Sequence, residues 1–156
     1  MFLKDTEELR DYLQFDNRHP EDPFWYGEGQ VFQLVFLADE NGPAEHQLET
    51  YMDFQHYHLS YIDRIRQRVA DAWEREKGRV PSRIQHDVPM VDVITVNPPG
   101  EEADMDIVLS FRRFKLLFYS AWTTYVAKFK GRQLVYLQTA RRYEQEMKEK
   151  ENVRIE

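Results

Sequence analysis

Apolar and aromatic side chains recur at intervals of three and four through Leu48, Tyr51, His58, Ile62, Ile65, Val69 and Trp73, with Gln55 as the polar exception. No proline or glycine falls within 44–77, so one helix is predicted there, stopped by Gly78. Its length would be about 50 Å, against a radius of gyration of about 15 Å for a compact chain of this size. The helix is therefore expected to break or to project. Phe54, Tyr57 and Tyr61 add a second apolar row, which predicts cover on both sides of its middle.

Elsewhere the period shortens. Residues 30–38 are rich in Val, Phe and Leu and lie between Gly27-Glu28-Gly29 and the turn formers of 39–43, which predicts a strand. Met105, Ile107, Leu109 and Phe111 alternate with Asp106, Val108 and Ser110, Val108 being the one apolar exception. That strand is predicted to pair with 90–96 across the polar turn 97–102. Residues 114–119, 123–129 and 133–138 read as further strands, the last two joined by Lys130-Gly131-Arg132 as a short hairpin. Near the start, Asp5 and Glu8 have capping-box spacing, so a short helix is predicted within 2–14. Pro20 and Pro23 push their neighbours out of helical geometry, and 16–23 is predicted as a loop that carries on into Phe24-Trp25-Tyr26. Glu144 with Lys148 and Glu146 with Lys150 keep helical spacing in a polar tail, 140–156, read as helical or frayed. The expected fold is one α+β domain over 1–139, an antiparallel sheet of about five strands with the long helix on one face.

Composition narrows the function classes. At 156 residues, 42% hydrophobic and 14% aromatic, the chain has the apolar content of a packed core and not of a disordered segment. The absence of cysteine excludes a disulfide framework, a thiolate metal site and a cysteine nucleophile. Asp5, Glu7 and Glu8 precede any apolar run of the kind a secretory signal needs, so the mature chain is expected to start here. The longest apolar stretches are interrupted by Gln33 and Lys115, far short of the roughly 18 residues of a membrane span. A cytoplasmic protein that does not engage membrane is expected. Charge is uneven along the chain: residues 1–60 hold three Lys and Arg against thirteen Asp and Glu, net −10, while 61–156 hold eighteen against fifteen, net +3, which together give the −7 of the whole. The acidic part would repel nucleic acid and steer a basic partner.

Catalytic motifs are weak. His56 and His58 are two apart, which on a helix places them on opposite sides and excludes joint metal ligation. Gly27-Glu28-Gly29 precedes a strand and lacks the third glycine and following helix of a dinucleotide loop. Ser60, Ser82, Ser110 and Ser120 lack the flanking glycines of a nucleophile elbow. No cofactor and no metal is expected. The basic residues Arg112, Arg113, Lys115, Lys128, Lys130 and Arg132 are too few beside an acidic remainder to predict nucleic-acid binding. Binding features are stronger: Asp22, Trp25, Tyr26 and Glu28 combine aromatic anchors with an acidic rim, and Glu101, Glu102 and Asp104 would be exposed at a hairpin tip. These seven residues are the candidate partner-binding set.

The short, acidic, cysteine-free chain, its central helix over 44–77 and its terminal meander from Asp92 to Gln138 including Trp122 resemble the bacterial immunity proteins that neutralise polymorphic toxins. The resemblance implies a non-enzymatic, stoichiometric inhibitor that binds a basic toxin surface through acidic residues. Two other readings stand beside it. One is a small-molecule-binding or enzymatic domain with a pocket between the long helix and the sheet at His58 or Tyr61. The other is a structural module in which surplus aromatics pair two copies into a homo-oligomer.

Overall fold

The structure is a computed structural model that describes residues 2–117 and 119–155. Among these residues, seven strands form one sheet: β1 (Gln14–Asp16), β2 (Phe24–Gly27), β3 (Gln33–Leu37), β4 (Met90–Val96), β5 (Met105–Leu116), β6 (Tyr119–Lys130) and β7 (Gln133–Thr139). Their order across the sheet is their order along the chain. Four helices accompany them: α1 (Thr6–Tyr12), α2 (Glu45–Lys77), α3 (Ser82–His86) and α4 (Ala140–Ile155). Neighbouring strands run antiparallel except β3 and β4, which are parallel because α2 and α3 form the crossover between them.

This mixed seven-stranded sheet corrects the five-stranded antiparallel sheet expected from the sequence. β2 falls in the predicted loop, and β1 spans the end of the predicted first helix and the start of that loop. β1 and β2 have three and four residues, too few to display a period, and prolines lie between them. The β3–β4 pairing is non-local, so no turn signal announces it.

One sheet face is dry. Leu34, Phe36, Ile94, Val96, Met105, Ile107, Leu109, Phe111, Ala127 and Phe129 are buried there beneath Leu48, Tyr51, Phe54, Tyr61, Ile65 and Val69 of α2. Ring pairs lock the contact, with Tyr61 edge-on to Phe129 at 4.9 Å and Phe36 edge-on to Tyr51 at 6.1 Å. Gln47, 2% exposed, ties the start of α2 to two strand ends: its Oε1 accepts from Ala44 N at 2.9 Å, and its Nε2 donates to the carbonyls of Leu37 (3.0 Å) and Val96 (3.4 Å).

The 33-residue α2 is broken at Tyr57, whose φ of −118° and ψ of 29° leave helical geometry with no proline or glycine nearby. Neighbouring chain holds the break. The Gln55 amide bonds both backbone groups of Leu3 (2.9 and 2.7 Å), and Arg132 from the β6–β7 turn grips Asp53 (2.9 and 2.6 Å) with its guanidinium 4.1 Å from the Tyr57 ring centre.

The polar tail forms α4, docked on the opposite face over β6 and β7. Tyr143 stands 6.0 Å from the Tyr136 ring and 5.2 Å from Lys128 Nζ, and Tyr136 Oη donates to Glu146 at 2.6 Å. Among the described residues no helix is long and apolar enough to cross a membrane.

Candidate functional site

Because α4 covers only β6 and β7 on its face, the same sides of β2, β3, β4 and β5 carry no helical layer among the described residues. Strand alternation places Phe24 and Tyr26 of β2, Val35 of β3, Val93 and Thr95 of β4, and Val108 of β5 there, all half-buried. Tyr26 pairs with Val35, lies 6.3 Å from Phe24 and donates from its hydroxyl to Gln14 Oε1 at 3.0 Å. Together with the β2–β3 loop this surface makes an open trough of about 950 Å³, lined among others by Arg18, Tyr26, Glu28, Val35, Asp92 and Val93. Its size falls in the range of recognition clefts.

The charged groups around the trough are of two kinds. Asp16 is already engaged: Arg18 binds it through Nε at 2.9 Å and through its terminal nitrogen, and this pairing holds the Asp16 carboxyl below its ordinary range. Glu28 is exposed on the trough, as are Glu21 and Asp22 in the β1–β2 connection, and among the described residues no hydrogen bond or ion pair engages their carboxylates. On β4–β6 a polar ladder crosses the sheet, in which Ser110 Oγ meets Asp92 Oδ2 at 3.2 Å and Thr124 Oγ1 at 2.7 Å. Farther along β6, Trp122 is 42% exposed and faces the Arg112 guanidinium at 5.9 Å, which Asp87 anchors at 2.8 Å.

The candidate partner-binding residues do not converge into one patch. Tyr26 and Glu28 border the trough. Asp22 is exposed near the other end of β2, where its N–H donates to the His19 carbonyl at 2.9 Å. Glu101 and Glu102 are exposed on the β4–β5 turn, beside α4. Trp25 turns to the helix side, packs 5.1 Å from Phe15 and donates from Nε1 to the Asp39 carbonyl at 2.8 Å. Asp104 corrects the expected exposure: it is 7% exposed and accepts from Gly131 N at 2.7 Å, Lys130 Nζ at 3.2 Å and His46 Nε2 at 3.3 Å. Burial alone would raise its carboxyl, and those three donors outweigh it, so the group titrates below its ordinary range. Asp104 stitches the β4–β5 turn to the β6–β7 turn.

At the place where a helix–sheet pocket was expected, Tyr61 is buried and His58 is exposed. Tyr61 is buried among Phe54 and Phe129 and donates to Asp53 at 2.7 Å, and burial with that bond pushes its hydroxyl well above the usual range. His58 is exposed and its Nδ1 lies 3.3 Å from the Gln55 carbonyl. Among the described residues no three His, Asp or Glu converge as metal donors. Sequence reading missed Phe24, Val35, Val93 and Val108 as a shared surface. Val108, the apolar exception in its strand, was the one visible sign that the second face is not wholly polar. Comparison with protein-family models, curated proteins and solved structures returns no match.

Proposed function

We propose that this chain is a non-enzymatic protein-binding domain, most concretely a cytoplasmic immunity protein that neutralises a cognate toxin by docking a basic surface on the bare sheet face. One observation carries the reading: an aromatic and valine surface without a helical layer is bordered by Glu28, an exposed carboxylate with no ion pair among the described residues. Apolar anchors with a charged margin are the usual composition of an interface, the anchors slowing dissociation and the margin speeding encounter. Because sheet order follows chain order, Asp16, Glu21, Asp22 and Glu28 all fall on β1 and β2 and their connections, at one edge of the sheet.

Co-expression with the product of the adjacent reading frame tests this directly. Stoichiometric binding and protection of the host cell are expected, with an association rate that falls as salt rises. Reversing charge with Asp22→Lys and Glu28→Lys is expected to slow association, whereas Tyr26→Ala is expected to hasten dissociation. Absence of both binding and protection removes the reading, and a salt-independent association rate removes its electrostatic part.

A further inference from the structure

A second cavity, of about 380 Å³, opens at the far end of α2 between its last turns and strands β5 to β7. Its walls mix aromatic and cationic groups. Trp73 donates from Nε1 to the Tyr125 hydroxyl at 3.2 Å, forming one wall, while Arg68, Arg75 and Lys77 come from the helix and Arg113 from β5. Among the described residues Glu76 is the single acid on the lining, and Asp71 and Glu74 belong to the adjoining outer groove with Arg68 and Arg75.

Most of these cations have donors left for a ligand. Arg113 Nε is buried and has no hydrogen-bond partner among the described residues, a state that costs free energy in any folded protein unless something fills it. Arg75 spends Nε on the Asp71 carbonyl at 3.4 Å, and among the described residues no ion pair engages Arg68 or Lys77. Cations near a helix C-terminus complement its dipole, which accounts for Arg75 and Lys77. It does not account for Arg113, which comes from the sheet, or for Arg68, more than two turns earlier.

We infer that this cavity binds a small oxyanion-bearing molecule, a phosphate or carboxylate on a flat apolar body, with the anion on Arg113 and the flat part against Trp73 and Tyr125. A guanidinium holds such oxygens in a forked, charge-assisted arrangement, and an aromatic wall supplies area at little entropic cost. The inference is independent of the protein-docking reading, since the cavity lies on the opposite side of the sheet from the trough. Either can fail alone.

Titration calorimetry with phenyl phosphate, benzoate and inorganic phosphate tests it, with tryptophan fluorescence as a second readout. Saturable binding of the two aromatic anions is expected, tighter than that of inorganic phosphate, and the better of the two identifies the headgroup. Arg113→Met is expected to weaken binding by about tenfold or more, while Arg18→Met in the other trough leaves it unchanged. Trp73→Phe is expected to abolish the fluorescence response and to keep most of the heat. Thermal melts accompany each variant, and the exposed pair Arg68→Ala and Lys77→Ala, which touches no core, is expected to weaken binding severalfold at an unchanged melting temperature. The inference is overturned by no saturable binding up to about 10 mM of either aromatic anion. Affinity that persists in folded Arg113→Met overturns it as well, and so does affinity that persists in the double variant.

Discussion

At the scale of single residues, buried polar groups do the joining. Gln47 satisfies one amide and two carbonyls at the point where α2 leaves the sheet, so Gln47→Leu strands three backbone groups. A loss of about 1–3 kcal/mol is expected, read from the urea midpoint at unchanged slope. Gly27 shows the same economy of space, because a Cβ there would lie 2.5 Å from Cε1 of Tyr12. Gly27→Ala is therefore expected to cost about 1–3 kcal/mol as the ring is displaced, measured in the same way. Asp104 sets a pH dependence whose sign follows from its depressed carboxyl: it binds a proton less readily folded than unfolded. Its contribution is complete above the ordinary value of 3.8 and is lost as pH falls through the lower folded value. Asp104→Asn is expected to flatten the loss of stability in acid relative to the parent chain, as seen in urea midpoints below about pH 4. Asp104 looked in sequence like one more exposed acid of a polar turn. Nothing local marks it as buried, because Gly131 and His46 reach it from distant segments.

At the scale of elements, long periodic segments were readable and short ones were not. The span of α2 follows from uninterrupted helix formers and from Gly78, which takes the left-handed cap at φ 70°. The cap at α1 was equally visible, since Asp5 accepts from Glu8 N at 2.8 Å. The position of the break in α2 was not readable, because Tyr57 is moved by Arg132, seventy-five residues away in the chain. Arg132→Ala releases both Asp53 and the Tyr57 face, and is expected to lower the melting temperature and to speed amide exchange across 53–61, with 65–75 little changed. Uniform exchange in both segments would show that the break stands without the clamp. The docking of α4 was hidden for a similar reason: its seam rests on Tyr143, in a segment that otherwise reads as solvated, meeting Tyr136 of β7 and Lys128 of β6.

At the scale of the whole molecule, the ordering of strands turns a property of the chain into a property of the surface. An acidic first sixty residues would be mixed with the rest in a sheet that shuffled its strands. Here β1 to β3 stay together at one edge, and Glu21, Asp22 and Glu28 are exposed there with no ion pair among the described residues. The sequence disclosed that asymmetry but not the surface beside it, which needs the β3–β4 crossover to bring Val35 next to Val93 and Thr95. The most direct measurement is amide hydrogen exchange on the chain alone and in complex with the product of the adjacent reading frame. The central claim expects slowed exchange concentrated in 24–37 and 90–95, with α4 and β7 unaffected. Protection confined to α4 and β7, with the β2 to β4 strands unchanged, would contradict it.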